Sequence, residues 1–328
     1  MRLYNLGRSF VITGIIELIL AAIYYTSGLI QGANELSYFS YFLPYSGYFN
    51  TVNTFKGVIK DELFKKVKLK DQLYKPVNKI KGGGEGDIKL ILSTGLKGGI
   101  GKTTIAIYLS FGLKKKVLYV DYDYTSFGSL LLGHNDIGLV DELTSNIKPF
   151  SRSLKEFQNI TVLKVFGDPF NIKIPENANS VLSELIKGLS QEFIIIDSNV
   201  NLTPNDEIFK RLDEVSDESF GLFITDPLTL NATTKFAMNW KLSWKALVLN
   251  MIPPLPDEIN EAINLLEKVR SQFDHFDAFV AVPFDEKLYN YKPDPKINVS
   301  NKQLDLLINA LLEKRRDYLI TPLEASMR

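Results

Sequence analysis

A glycine-rich stretch between two apolar runs limits the folds open to this chain of 328 residues. The apolar run at residues 88–93 predicts a strand, and the run at residues 105–113 predicts a helix. A strand, a glycine-rich turn and a helix, in this order, are the context of a phosphate-binding loop. The sequence therefore predicts a sharp backbone turn that presents its N–H groups to an anion at the start of a helix.

The residue types within this turn, GLKGGIGKTT, suit a phosphate chain. Three glycines, Gly98, Gly99 and Gly101, allow successive N–H groups to point inward. Lys102 follows them and can reach the β- and γ-phosphates, and the hydroxyl of Thr103 can ligate Mg²⁺. The segment predicts a site for a nucleotide with its Mg²⁺ ion.

The stretch from Lys97 to Thr104, KGGIGKTT, resembles the deviant Walker A motif of the ParA/MinD family of ATPases. A strict phosphate loop has a glycine where this chain has Leu96, and the additional Lys97 follows. The resemblance implies ATP-dependent homodimerisation, in which Lys97 reaches the nucleotide of the partner subunit. It also implies that Ile100 and Thr104 bind the nucleotide with the rest of the loop. Without the resemblance, Lys97 is one more cation that attracts phosphate.

Acidic residues at the ends of two later apolar runs carry the resemblance further. The run KVLYVDYD ends in Asp121 and Asp123, and it is similar to the family's hhhDxD element. This implies that Asp123 orients the attacking water and that Asp121 belongs to a switch near Mg²⁺; otherwise both are solvated carboxylates at a strand end. Asp197 ends the run FIIID and looks like a Walker B aspartate, which serves the Mg²⁺ shell. Family members often continue with Asp-x-Pro-Pro, whereas this chain continues with Ser-Asn-Val, so we expect slow hydrolysis.

Two further segments match elements that surround the base in the same family. The run LVLN ends in Asn250 and matches the hhxN element, whose asparagine reads adenine; otherwise Asn250 caps a loop. The run FVAVPFD resembles the hxhPxD segment and implies that Pro283 lies along the base. The resemblance extends over most of residues 87–328.

Short apolar runs alternate with helical patterns throughout residues 87–328. The helical patterns include residues 180–189, 256–273 and 303–318. This alternation predicts an α/β fold with a mainly parallel, doubly wound phosphate-loop NTPase sheet, covered by helices on both faces. Such a sheet binds phosphate at the carboxyl ends of its strands.

The first 86 residues have a different character. Residues 9–30 contain Glu17 as their only charged residue, and their length and apolarity predict a membrane helix. Residues 36–55 are uncharged and aromatic, and three interpretations fit this pattern: a second span, a re-entrant segment or an interfacial belt. The rival interpretations are a secretory signal peptide and a soluble helical extension or partner-binding hairpin. The predicted division is a hydrophobic segment with one or two membrane helices at 1–56, a basic amphipathic helix and glycine-rich linker at 57–86, and a ParA/MinD-like ATPase domain at 87–328.

Charge is distributed unevenly along the chain, although 38 basic and 38 acidic residues sum to zero. Eleven basic and five acidic residues precede Gly82, which gives this part a net charge of +6 and leaves −6 for the rest. Basic residues flank the hydrophobic segment on both sides, so two crossings would leave both flanks in the cytoplasm. We expect the protein at the cytoplasmic side of the cell membrane, or in the cytoplasm if the segment is a soluble extension.

Composition narrows the functional classes. The chain has no cysteine, which excludes disulfide scaffolds, thiolate metal sites and cysteine nucleophiles. Its two histidines, His134 and His275, are too few for us to expect a histidine-rich metal centre. We expect a membrane-tethered MgATPase that dimerises with ATP and acts as a switch for positioning, segregation or partner recruitment, with a protein partner that stimulates hydrolysis. Two alternatives stay open: a soluble partition ATPase that binds non-specific DNA, and a protein-targeting ATPase.

Overall fold

The computed structural model describes residues 87–169, 172–188, 190–200, 202–289 and 300–322. The predicted hydrophobic segment, basic helix and glycine-rich linker, all within residues 1–86, lie outside the described residues. In the described ranges, no helix combines the length and the apolarity needed to cross a membrane. The division into three parts stays a prediction.

Nine strands of the described residues form one sheet, in the order β3-β4-β2-β5-β1-β6-β7-β8-β9. Their bounds are Lys89–Thr94 (β1), Val117–Tyr122 (β2), Leu154–Phe157 (β3), Ile160–Lys164 (β4), Phe193–Ser198 (β5), Glu218–Thr225 (β6), Trp244–Ile252 (β7), Ala278–Pro283 (β8) and Tyr318–Ile320 (β9). All neighbouring strands are parallel except β3 and β4. Every residue of β2 and of β5 is buried, which explains why the central strands are continuous apolar runs.

Helices connect the strands and cover both faces of the sheet. Their bounds are Lys102–Gly112 (α1), Phe127–Leu131 (α2), Leu139–Thr144 (α3), Ala178–Lys187 (α4), Glu207–Glu214 (α5), Leu230–Met238 (α6), Pro256–Gln272 (α7), Glu286–Tyr289 (α8) and Lys302–Leu312 (α9). Apolar residues of α3 to α7 join one core, and apolar residues of α1, α8 and α9 join the other. The expected doubly wound arrangement is confirmed.

Alternation along the central strand separates these two cores. Leu90 and Leu92 of β1 belong to the core beneath α3 to α7, and Ile91 belongs to the core beneath α1 and α9. All three side chains are completely buried. Because side chains of a strand point alternately to its two faces, a strand covered on both faces must be apolar throughout.

Two features differ from the sequence prediction. The helical pattern at 303–318 is shorter in the structure, where α9 ends at Leu312 and β9 begins at Tyr318. Lys314 and Asp317 take positive φ angles of 50° and 51°, which end the helix and turn the chain toward the sheet. The hairpin of β3 and β4 was not predicted, and it closes through a two-residue turn in which Gln158 has a φ of 57°.

Candidate functional site

The glycine-rich loop joins β1, a central strand, to α1. Gly99 and Gly101 have φ angles of +74° and +93°, a region of backbone conformation that favours glycine. Gly101 immediately precedes the first residue of α1. A Cβ atom at position 101 would also overlap Nδ2 of Asn250. Conformation and close packing therefore both require glycine at this position.

Three side chains fix the shape of this loop. Nδ2 of Asn250 donates a hydrogen bond to the carbonyl oxygen of Ile100 at 2.8 Å. Oγ of Ser93 donates to the carbonyl of Lys102 at 3.0 Å, and Nζ of Lys102 donates to the carbonyl of Lys97 at 3.0 Å. The loop is therefore held both to the strands on which it rests and across its own opening.

A bulge in β7 brings Asn250 to the loop. The register between β7 and β8 shifts between Leu249 and Ile252, and Met251 has a φ of +61°. A bulge of this kind re-aims the side chains beside it. The Asn250 side chain is consequently buried against the loop instead of continuing the alternation of the strand.

Lys97 of the loop forms an ion pair with Asp226. Its Nζ is 2.5 Å from Oδ2 of Asp226, and the Lys97 side chain is 46% exposed. Oδ1 of Asp226 accepts hydrogen bonds from N and Oγ1 of Thr229, at 2.8 and 2.7 Å. Burial tends to raise the pKa of Asp226, but the hydrogen bonds from Lys97 and Thr229 hold this pKa below its ordinary value.

Two buried carboxylates stand side by side beneath the loop. Asp121 of β2 and Asp197 of β5 are register partners, and both are completely buried. Oδ2 of Asp121 accepts from the backbone N of Ser129 at 2.6 Å, and its Oδ1 accepts from the backbone N of Asp123 at 3.4 Å. Both of its oxygens are therefore committed to the chain segment that leads into α2.

Asp197 has one committed oxygen and one open oxygen. The hydroxyl of Tyr119 donates to its Oδ2 at 2.7 Å. Its Oδ1 is buried and accepts no hydrogen bond within the described part of the chain. A buried acceptor without a donor is unfavourable, and a bound cation would correct this.

The electrostatics of the site also favour a cation. Burial raises the pKa of Asp197, the charge of Asp121 adds to this rise, and the hydrogen bond from Tyr119 opposes it. The pKa of Asp121 is raised by the same burial. Burial lowers the pKa of Lys102, against the attraction of Asp197 and Asp123. An added positive charge would relieve the repulsion between the two buried carboxylates.

A cavity of about 680 Å³ opens above the loop. This volume lies within the usual range for small-molecule sites. Nine of the thirteen residues that the sequence predicted line it: Gly98, Gly99, Gly101, Lys102, Thr103, Thr104, Asp123, Asn250 and Pro283. The other four are outside its lining: Lys97, Ile100, Asp121 and Asp197.

Sequence reasoning missed the apolar wall of this cavity. Met251, Phe284, Leu288 and Tyr289 line it, and the ring centroids of Phe284 and Tyr289 are 5.6 Å apart. The available signal was the short run FDEKLY after Pro283, in which the apolar residues are four or five positions apart. This wall makes the cavity suitable for a flat apolar group as well as for phosphate.

The described ranges contain no group of three or more His, Cys, Asp or Glu residues that could hold a metal ion. Mg²⁺ does not require such a group, because it is usually held by one or two carboxylates, water and the phosphates of the substrate. A hydroxyl at Thr103 and an open carboxylate oxygen at Asp197 fit that requirement.

The fold and this loop define a phosphate-loop α/β protein, in which a glycine-rich turn follows a central parallel strand and precedes a helix. Among solved structures, the MinC:MinD cell division protein complex of Aquifex aeolicus is similar with a TM-score of 0.50 and 16% identity, over 70% of this chain and 96% of that chain. The described residues therefore have the ParA/MinD fold, as the sequence predicted.

Two other solved structures have lower TM-scores and are also matched over nearly their whole length. A plasmid partition protein of Borrelia burgdorferi bound to AMPPNP has a TM-score of 0.49 and 18% identity, over 70% of this chain and all of that chain. The septum site-determining protein MinD of Pyrococcus horikoshii OT3, complexed with Mg-ADP, has a TM-score of 0.45 and 23% identity, over 69% of this chain and 96% of that chain. No protein-family model and no curated protein sequence matches this chain.

Proposed function

We propose that residues 87–328 form a MgATPase of the ParA/MinD type, which dimerises with ATP and hydrolyses it slowly. The observation that carries this proposal is a combination beneath one cavity: a preformed phosphate loop, the buried amine of Lys102 and the open oxygen of Asp197. These are the groups that a nucleotide with bound Mg²⁺ requires.

The phosphates would bind at the start of α1. Backbone N–H groups of residues 98–104 and the helix dipole favour anions there. Lys102 has a lowered pKa but retains its two acidic neighbours, so it would leave its hydrogen bond to the Lys97 carbonyl and bind phosphate as a cation. The base would lie between Asn250, Pro283 and the apolar wall.

Thr103 and Asp197 would hold Mg²⁺, with Asp121 beside them. Mg²⁺, when bound, would neutralise charge on the phosphate oxygens. Asp123 lines the cavity, and its Oδ1 accepts a hydrogen bond from the backbone N of Thr125 at 2.8 Å. This bond would fix the direction of the Asp123 carboxylate so that it can orient a water toward the γ-phosphate.

The second subunit would complete the site through Lys97. Its side chain is half exposed and lies outside the lining of the cavity, and it belongs to the same loop as Lys102. Breaking the ion pair with Asp226 would release this amine to bind phosphates across a dimer interface. The dimer would then be more stable with ATP than with ADP, because only ATP carries the γ-phosphate.

The proposed location is the cytoplasmic side of the membrane, with residues 1–56 as the anchor. The charge of the protein supports a membrane over DNA, since residues 82–328 carry a net −6. Exposed basic residues just before β2 and just after α9 also form ion pairs with acidic residues, which reduces their attraction for the phosphates of DNA. These pairs are Lys115 with Glu192, Lys314 with Glu218, Arg315 with Glu313 and Arg316 with Asp277.

Phosphate release by the full chain, with Lys102→Ala and Asp123→Asn as comparisons, tests the ATPase proposal. We expect slow, Mg²⁺-dependent release that both substitutions abolish. An equal rate in the wild type and both variants would contradict the proposal.

Flotation with liposomes of anionic lipid, set against a DNA shift assay at several salt concentrations, tests the location. We expect flotation that persists at high salt, because apolar insertion is not screened. Salt-sensitive binding to DNA without flotation would favour the partition alternative instead.

A further inference from the structure

We propose that Tyr119 is a positioning residue for Asp197, which holds one carboxylate oxygen so that the other faces the metal shell. The inference rests on the proposed function, in which Asp197 serves Mg²⁺. The Tyr119 hydroxyl donates to Oδ2 of Asp197 at 2.7 Å, and both residues are completely buried. The remaining oxygen, Oδ1, is buried and accepts no hydrogen bond from the described residues.

Tyr119 of β2 brings a hydroxyl group into an apolar core. Its side chain lies in the core beneath α1 and α9, among aliphatic residues such as Val117 and Ile195. A tyrosine hydroxyl buried there needs a hydrogen-bond partner, and Asp197 on the neighbouring strand is the partner it has. A tyrosine hydroxyl is protonated at neutral pH, so it is the donor in this hydrogen bond.

Gly128 of α2 makes room for this hydroxyl. A Cβ atom at position 128 would overlap the Tyr119 hydroxyl oxygen and would lie 2.9 Å from Cζ of the ring. The ring itself is fully buried, so it has little freedom to move aside. The absence of a side chain at position 128 is therefore what allows α2, β2 and β5 to meet at one hydroxyl.

This meeting point connects Asp197 to the chain segment that carries Asp123. The backbone N of Ser126 donates to the carbonyl of Asp123 at 2.9 Å, and α2 begins immediately afterwards. The backbone N of Ser129, in the same helix, donates to Asp121. Tyr119 thus sets the position of Asp197 relative to the acidic segment, and removing its hydroxyl would leave the Asp197 carboxylate free to turn.

The inference can be tested with Tyr119→Phe in the full chain, and Tyr108→Phe is a matched control. The Tyr108 hydroxyl is also buried and donates to Oδ1 of Asp305 at 2.7 Å, but it lies in the contact between α1 and α9. The probe is a fluorescent ATP analogue, titrated first in EDTA and then with increasing Mg²⁺. The readout is the Mg²⁺ concentration at which the affinity gain is half complete, and it does not depend on hydrolysis.

We expect Tyr119→Phe to raise this concentration about tenfold, as is usual when the partner of a metal ligand is removed. Its affinity for the analogue in EDTA should match that of the wild type, and Tyr108→Phe should match the wild type in both titrations. A folded Tyr119→Phe with the wild-type Mg²⁺ dependence would overturn the inference. A wild type that binds the analogue without any Mg²⁺ dependence would instead overturn the proposed function.

A second variant keeps the test decisive if Tyr119→Phe does not fold. Gly128→Ala would displace the hydroxyl from Asp197 and should raise the half-saturating Mg²⁺ concentration in the same direction. Its matched control is Gly112→Ala at the end of α1, whose new Cβ meets the flexible end of the Ile308 side chain. Equal Mg²⁺ dependence in these two alanine variants would count against the role of Tyr119.

Discussion

Asn250 donates a hydrogen bond of 2.8 Å to the carbonyl of Ile100, although 150 positions separate the two residues in the chain. The bond ties the phosphate loop to β7, a strand two places away from β1 in the sheet. The donor is the side-chain Nδ2 of Asn250, the residue that the sequence predicted to read adenine. Loop support and base reading make different predictions for the same substitution.

Replacing Asn250 with Ala should weaken the binding of ATP and of GTP equally, by about fivefold, since a hydrogen bond that shapes the loop is worth on the order of 1 kcal/mol. Equilibrium titration of fluorescent analogues of both nucleotides measures this. Asn309→Ala, on the exposed side of α9, is the control and should bind both as the wild type does. A loss confined to ATP would show that Asn250 reads the base instead.

Replacing Asp226 with Asn should favour the ATP-bound dimer. Asn retains the oxygen that accepts from Thr229 but no longer pairs with the Lys97 ammonium at 2.5 Å. A partly exposed ion pair contributes up to about 1 kcal/mol, and each of the two subunits breaks one pair on dimerisation. The dimer association constant should therefore rise by about two- to fivefold per subunit, or about four- to twenty-fivefold in all. Analytical ultracentrifugation with ATP or ADP is the measurement.

Asp317→Asn is the matched control for that comparison, because it removes an exposed ion pair with Arg270 on another part of the surface. It should leave the association constant unchanged, and Lys97→Ala should abolish the ATP-dependent dimer. Weaker dimerisation of Asp226→Asn than of the wild type would mean that Asp226 supports the interface instead of competing for Lys97.

His134 should make the folded domain less stable in acid. Its Nε2 lies 2.9 Å from the Ser153 carbonyl, and burial, together with the charges of Lys155 and Lys164, lowers its pKa to about 4. The unfolded chain, with a pKa of 6.5 at this residue, binds the proton first. The stability contributed by the neutral ring is therefore complete above pH 6.5 and is lost as the pH falls toward 4.

His134→Gln keeps a donor but does not titrate, so it removes this dependence. Between pH 7 and pH 4.5, the wild type should lose about 2 to 3 kcal/mol more free energy of unfolding than the variant. Urea unfolding followed by tryptophan fluorescence suits the measurement, since Trp240 and Trp244 are the only tryptophans and both are buried in this domain. Parallel pH profiles of the two proteins would contradict the assignment.

The sequence predicted the parts of this protein that depend on local pattern. The loop at Gly98–Lys102, its helix, and the acidic strand ends were readable because glycine, charge and apolar periodicity act over a few residues. The end of α9 was misjudged, although the apolar spacing stops at Leu312 and the charged run at residues 313–317 was an available signal.

Contacts between distant residues could not be read in the same way. The pair of Lys97 with Asp226 and the hydrogen bond of Tyr119 to Asp197 each join separate elements. A tyrosine in an apolar strand looks like an ordinary core residue until the neighbouring strand places a carboxylate beside its hydroxyl. The order of strands in the sheet supplies that information, and a single sequence pattern does not.

Binding of an ATP analogue to the full chain, compared with Lys102→Ala, tests the central claim most directly. Lys102 is the buried amine of the phosphate loop, and Lys115→Ala, at an exposed ion pair before β2, is the control. The account predicts saturable, Mg²⁺-dependent binding by the wild type and Lys115→Ala, and at least a hundredfold weaker binding by Lys102→Ala, about 3 kcal/mol for a buried charged contact. Equal affinity of Lys102→Ala and the wild type would contradict it.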